Sequence, residues 1–106
     1  MTSEQKFSII LAREVAEHLA AIDRKYHSLL RSTIKEQLSY EPEVETRNRK
    51  PLREPSTGAT WELRLGADNE FRVFYQTLSD IYEVHILVVA VKIGNQLFVN
   101  GKEFEL

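Results

Sequence analysis

The sequence predicts an α+β domain: an N-terminal strand, an antiparallel two-helix hairpin, then a meander of three to four antiparallel strands forming a single sheet with the helices on one face. Three observations carry this expectation. Apolar residues recur at helical spacing twice in succession between Ala12 and Ser39. From Trp61 onward they alternate with polar residues at strand spacing, and turn residues separate the segments. A chain of 106 residues suffices for one hydrophobic core and is short for two, so 1–106 is read as one domain.

Taken in order, Phe7, Ile9, Ile10 and Leu11 make Lys6 to Leu11 a short strand. At Ala12 the period changes. Ala12, Val15, Ala16, Leu19 and Ile22 form an apolar stripe, with Arg13, Glu14, Glu17 and His18 on the opposite side. Asp23 has the chemistry of an N-cap and opens a second helix, Arg24 to Ser39, whose stripe is Tyr26, Leu29, Leu30, Ile34 and Leu38. Helices joined so closely fold back on each other and cover one sheet face. Tyr40 to Thr60 has no period, contains Pro42, Pro51, Pro55 and Gly58, and is expected as a long loop; connections of such length are uncommon in compact domains and are usually functional.

Strands follow. Trp61, Leu63 and Leu65 alternate with Glu62 and Arg64; Phe71, Val73 and Tyr75 alternate with Arg72, Phe74 and Gln76; Gly66 to Glu70 has the residues of a turn between them. Ile81 to Lys92 is nearly continuous in hydrophobics, as expected at the centre of a sheet. Asn100-Gly101, between Leu97-Phe98-Val99 and Phe104-Glu105-Leu106, is a strong hairpin signal. The face away from the helices is expected to be at least partly open.

Composition removes several classes of function. With no cysteine there is no disulfide and no thiolate metal site, which fits a reducing compartment. The longest apolar run, Ile86 to Val91, is too short to span a bilayer, and no secretory leader pattern is evident, so a cytoplasmic protein without a membrane partner is expected. His18, His27 and His85 lie on three different elements without ligand spacing, and no nucleophile elbow, Gly-rich phosphate loop or His-Glu-x-x-His helix occurs, so neither metal nor cofactor is expected. The net charge of −2 argues against indiscriminate binding of nucleic acid. Its distribution is uneven, however: residues 24–53 hold eight of the fourteen Lys and Arg against four acids, whereas residues 54–106 hold four basic residues and eight acidic ones. Positive potential concentrated in this way focuses a polyanion.

The hairpin register locates the candidate chemistry. With Gly66 to Glu70 as its loop, Leu65 faces Phe71 and Arg64 faces Arg72. Trp61, Leu63, Leu65, Phe71, Val73 and Tyr75 then share the helix-covered side, and Arg64, Arg72, Phe74 and Gln76 share the other. Like charges directly opposite cost roughly 0.2–1 kcal/mol. Two readings follow. Either an anion sits between the guanidinium groups, with Phe74 beside them to stack a base, or Glu62 and Glu83 neutralise the arginines in a solvated network. Arg47, Arg49, Lys50 and Arg53 of the long loop likewise either clamp a phosphate backbone or form a solvated basic surface.

Leu11-Ala12-Arg13-Glu14, Lys50-Pro51-Leu52-Arg53, Trp61-Glu62-Leu63-Arg64-Leu65-Gly66, Phe71-Arg72-Val73-Phe74-Tyr75 and the strand through Val91, in this order of elements, resemble the RelE/ParE superfamily of toxins from type II toxin–antitoxin systems. The resemblance covers nearly the whole chain and is most specific over residues 61–75. It implies a toxin that is neutralised by a cognate antitoxin protein, that self-associates when the antitoxin is absent, and that inhibits translation as a metal-free, ribosome-dependent mRNA endoribonuclease. Carried over by position, Arg64 is the main phosphate and transition-state contact, Lys50 and Arg53 hold the RNA backbone, and Arg72 supports the site. After Val91 the sequence departs from the family pattern. Active ribonucleases of this kind carry an arginine and then a tyrosine or histidine there, where this chain has Lys92-Ile93-Gly94-Asn95-Gln96-Leu97-Phe98. Lys92 is the candidate replacement. A second reading therefore stands beside the first: a toxin-fold binding protein without nuclease activity, directed at DNA gyrase or serving only as an antitoxin partner.

Overall fold

A computed structural model describes residues 5–56 and 58–105. Strand β1 (Ser8–Leu11) leads into helix α1 (Val15–Ala20), one turn of 3-10 helix (Arg24–Tyr26) and helix α2 (His27–Leu38). Strands β2 (Arg49–Ser56), β3 (Ala59–Leu65), β4 (Phe71–Leu78), β5 (Glu83–Ile93), β6 (Gln96–Val99) and β7 (Lys102–Phe104) follow. They form an antiparallel meander in which each pairs with the next, and β1 lies parallel to β5 in the same sheet. The α+β class is the expected one, but the meander has six strands rather than three to four, and the expected pair of helices is reduced to one main helix, α2, preceded by the six-residue α1. The principal addition is β2, which occupies sequence expected as loop. It is an edge strand carrying Pro51 and Pro55, and its register with β3 shifts between Pro51 and Ser56. Proline is tolerated at an edge or a bulge, where no ladder partner needs its missing N–H.

The β3–β4 hairpin has the expected register, with Leu65 opposite Phe71 and Arg64 opposite Arg72. Its turn depends on Gly66, at φ 86°, where an added Cβ would stand 2.8 Å from the Phe71 ring. Asn100 and Gly101 both take positive φ and close the β6–β7 hairpin. Leu106 lies outside the described residues.

β5 organises the sheet. One edge pairs with β4 along its length, while the other takes β1 over Glu83–Ile86 and β6 over Val91–Ile93. Its pairing with β4 shifts between Phe74, opposite Val88, and Tyr75, opposite Ile86, so Leu87 is an extra residue in a β-bulge. The bulge reverses the alternation of side chains. Val84 and Ile86 face the helices before it, and Val89 and Val91 face them after it. The nearly continuous apolar run thus serves two faces of the sheet in turn.

The larger core lies under the helices, where Val15, Ile22, Leu30, Ile34 and Leu38 pack on Leu63, Leu65, Phe71, Val73, Tyr75 and Ile86. Tyr26 meets Phe71 edge-on at 5.1 Å, and Trp61 stacks on its cross-strand partner Tyr75 at 6.3 Å. The other face is not simply open. Ala59, Phe74, Val88 and Ala90 form a second, smaller core there, flanked by Leu52 of β2, Leu97 of β6 and Phe104 of β7.

The hairpin of helices is tied at its turn. Asp23 accepts from the Lys25 amide, as expected of an N-cap, although the turn it opens is 3-10 rather than α. His27 Nε2 lies 2.8 Å from the Leu19 carbonyl and 2.9 Å from that of Ile22, so it donates to carbonyls at and just beyond the end of α1, the first of which also accepts from the Ile22 amide. One assignment is reversed: His18, expected on the outer side of α1, is buried, and Ala16 is exposed. The outer edge of β5 between its two pairing segments explains this. There the Val89 amide has no strand to bond and instead donates to His18 Nδ1 at 3.3 Å.

Burial holds the His18 imidazole below its ordinary value of 6.5, against the opposing pull of Glu14 and Glu17. The unfolded chain therefore binds a proton that the folded chain resists. The stability His18 contributes is complete above 6.5 and is lost as pH falls below that value toward the folded-state pKa. Urea denaturation is expected to give a lower midpoint at about pH 5.5 than at about pH 7.5, and His18→Gln to narrow the gap. An unaltered gap in the variant would exclude His18 as its source.

Candidate functional site

The face of the sheet away from the helices collects four of the basic residues expected to act together, Lys50, Arg64, Arg72 and Lys92. Register places Lys50 opposite Glu62, Glu62 opposite Phe74, Arg64 opposite Arg72 and Arg72 opposite Ala90. Lys92, two residues beyond Ala90 on β5, falls on the same face. The Arg64 amide donates outward to the Asn48 carbonyl at 2.8 Å, so Arg64 and Arg72 form a non-hydrogen-bonded pair with α-carbons roughly 4.5 Å apart. In such a pair the side chains are at their closest, and two guanidinium groups repel.

Glu62 resolves the repulsion. Its carboxylate is buried and bridges both arginines, accepting from Arg64 Nε at 2.9 Å on one oxygen and from Arg72 Nη1 at 3.2 Å on the other. Arg72 is also fixed by an Nε donation to the Asn69 carbonyl at 3.3 Å. Its side chain is 11% exposed and that of Arg64 38%, so Arg64 is the more accessible guanidinium and Arg72 the more enclosed one. Asn48 clamps the Arg64 backbone from the other side, since its Nδ2 also donates to the Arg64 carbonyl at 2.9 Å. Of the two sequence readings of this pair, the neutralising one holds in part, because the anion between the guanidinium groups is the Glu62 carboxylate. Glu62 does neutralise, yet it leaves Arg64 accessible and oriented. Glu83 plays no part in this, being paired with His85 at 2.9 Å.

Two candidates leave the cluster. Arg49 pairs with Leu63 and so points to the helix side, where it is buried and donates to the carbonyls of Gln37, at the end of α2, and Val44. It anchors the connection between α2 and β2 and cannot hold a phosphate backbone. Phe74 is 1% exposed, at the centre of the second core with its ring 5.9 Å from that of Phe104, so no base can stack on it. Arg47 and Arg53 are exposed, and half-exposed Lys50 lies 3.4 Å from Glu45 at the surface.

The expected loop is held in place up to β2. The buried Tyr75 hydroxyl donates to the Pro42 carbonyl at 2.6 Å, while Thr77 and Ser79 donate to the Glu43 carboxylate. Burial raises the Tyr75 phenol far above its ordinary value, so it remains a donor at every pH of interest.

A second feature lies on the helix side. A cleft of about 880 Å³ opens between β1, α1 and α2, with a floor that includes Ile9, Leu11, Leu19 and Leu30 and a rim that includes Lys6, Arg31 and Lys35. The β1 edge beside it has no strand neighbour other than β5 among the described residues.

No protein-family model matches the sequence, and no curated protein matches it. The structure resembles a chain of the toxin–antitoxin complex RelBE2 from Mycobacterium tuberculosis, with a TM-score of 0.65 and 22% sequence identity over 82% of this chain and 99% of that one. The fold is therefore one found in a toxin–antitoxin complex, present here over nearly the full length of the compared chain.

Arg49→Ala is expected to lower stability by about 1–3 kcal/mol, because two buried carbonyls lose a charged donor, and Phe74→Ala by about 3–5 kcal/mol. Urea denaturation checks both. Wild-type stability in either variant would return that residue to the candidate binding surface.

Proposed function

We propose that this chain is the toxin of a type II toxin–antitoxin pair and acts by cutting mRNA on the ribosome. The observation that carries the reading is the accessible, oriented Arg64 on a cationic sheet face, within a fold shared with a chain of the RelBE2 complex. Hydrolytic nucleophiles and metals are unnecessary for such a cut. The ribose 2′-hydroxyl gives its proton to water as its oxygen attacks the adjacent phosphorus, the bond to the 5′-oxygen breaks as that oxygen takes up a proton, and a cyclic phosphate and a 5′-hydroxyl result. Charge accumulates on the phosphoryl oxygens, and a guanidinium held in place before they form stabilises them without reorganisation. Arg64 takes this role, supported by Arg72 and Glu62. Lys50 and Arg53 hold the flanking backbone, exposed Arg47 adds a further cationic contact, and Lys92 protonates the leaving oxygen.

The second half of the reading is an antitoxin partner. The cleft between β1, α1 and α2 has the apolar floor and basic rim that suit an acidic, amphipathic segment of another chain. Without that segment the apolar floor stays uncovered, and the free chain self-associates.

Controlled expression in a bacterial host, wild type beside Arg64→Ala, tests the nuclease. The expected result is growth arrest with new 5′ ends inside translated codons, both lost in the variant. Arrest without cuts would transfer the activity to another target, of which gyrase is the first to assay. No arrest would leave a partner-binding module, the reading favoured by the absence of a tyrosine or histidine just beyond Val91. The partner is tested separately: Leu11→Glu, at a half-exposed position lining the cleft, is expected to abolish co-purification with the product of an adjacent reading frame while preserving the fold. Undiminished co-purification would place the partner elsewhere.

A further inference from the structure

We propose that Glu62 is the positioning residue of the anion site and sets its selectivity, by fixing the direction of Arg64 while cancelling one of the positive charges around it. This rests on the reading of the cationic face as an RNA surface. The arrangement is specific. Four cationic residues, Lys50, Arg64, Arg72 and Lys92, share the face, and the buried carboxylate of Glu62 stands among them with each oxygen engaged by a different guanidinium. Arg72 is held at two points and is nearly buried, so its contact with Glu62 fixes the carboxylate. The fixed carboxylate in turn holds Nε of Arg64, leaving the two terminal amino groups of that guanidinium to approach an anion.

Two consequences follow. First, Arg64 meets a ligand in one orientation without first losing side-chain freedom, which a lone surface arginine must do. Second, the Arg64–Glu62–Arg72 unit carries one net positive charge rather than two. A single phosphate is held weakly there. Firm binding needs a chain of phosphates that also reaches Lys50 or Lys92. Glu62 thereby favours an extended polynucleotide over free phosphate and nucleotides, and it limits the nonspecific retention that an uncompensated arginine pair produces.

Glu62→Gln keeps the shape and removes the charge; its single carbonyl oxygen accepts from only one guanidinium, and with Arg72 still held by the Asn69 carbonyl that oxygen is left to Arg64 Nε. The variant's affinity for a short single-stranded RNA is expected to rise several-fold at low salt, with the slope of log affinity against log salt steeper by about 0.7, the increment for one further phosphate neutralised. Inorganic pyrophosphate, negligibly held by wild type, should bind measurably. The RNA gain should vanish in Glu62→Gln combined with Arg64→Ala, since Arg64 delivers it. Unchanged affinity and slope, or a gain that survives the loss of Arg64, would overturn the proposal. Arg64→Lys keeps the charge but offers one ammonium in place of a divided guanidinium, and is expected to bind RNA as poorly as Arg64→Ala; wild-type affinity would equally overturn it. This variant decides the matter if Glu62→Gln does not fold. Inorganic polyphosphate, run in parallel, separates this inference from the function proposed above. Retention of polyphosphate but not RNA, with the Glu62→Gln effect intact, would refute the RNA reading and leave the role of Glu62 standing. Retention of neither polyanion by wild type and variant alike would refute the role of Glu62.

Discussion

The bulge at Leu87 is the constraint on which the rest of the structure depends. A strand eleven residues long, paired on both edges, would ordinarily present one set of alternate residues to each face throughout. The extra residue divides β5 into two halves of opposite phase. The first half gives Val84 and Ile86 to the helix-covered core. The second gives that core Val89 and Val91, and gives the opposite face Val88, Ala90 and Lys92. Without the shift, Lys92 would project toward the helices and the cationic face would lack its contribution from β5. The same shift coincides with the place where β1 has ended and β6 has not begun, and the exposed amide of Val89 is satisfied there by a histidine from α1. A local irregularity thus determines sheet pairing, the inward turn of α1 and the composition of the candidate site.

The cationic face illustrates how a charged site persists inside a folded domain. Arginines opposite each other on neighbouring strands are unfavourable, and burying a carboxylate is costly unless it is paired. Here each arrangement offsets the other. Glu62 is satisfied at both oxygens, and among the described residues no buried side-chain nitrogen or oxygen lacks a partner. The elements behind the site are correspondingly fixed: Asn48 braces the Arg64 backbone, and Arg49 and Tyr75 secure the segment from which Asn48 comes.

Much of this was legible from residue order. The β3–β4 register followed from the turn at Gly66 to Glu70, and with it the opposition of Arg64 and Arg72. The Asn100-Gly101 hairpin and the parallel between helical stripes and core held for Val15, Ile22, Leu30, Ile34 and Leu38. What escaped shares one cause, the dependence of a side chain's direction on pairing that periodicity does not encode. Pro51 and Pro55 disguise β2 because prolines mark loops far more often than edge strands. Arg49 reads as surface charge, yet its register beside Leu63 sends it inward to backbone carbonyls. Phe74 was correctly placed on the face away from the helices, but the flanking β2 and the β6–β7 hairpin cover that position, and such closure is a property of the whole sheet. His18 looks like part of a polar helix face until the bare edge of β5 is known to need an acceptor.

The parallel pairing of β1 with β5 also has a temporal consequence. Ser8 meets Glu83, so the first strand waits for a partner that lies more than seventy residues away. The hairpins from β3 to β6 close over short spans and can assemble early, whereas the β1 contact is the longest single loop closure. On the ribosome the order of synthesis opposes the order of assembly. The two helices emerge first with their apolar stripes exposed, and the sheet they cover is not complete until β5 has left the exit tunnel. A newborn chain therefore passes most of its synthesis with the hairpin of helices uncovered, and a binding protein that recognises that hairpin can engage it before the cationic face has been built.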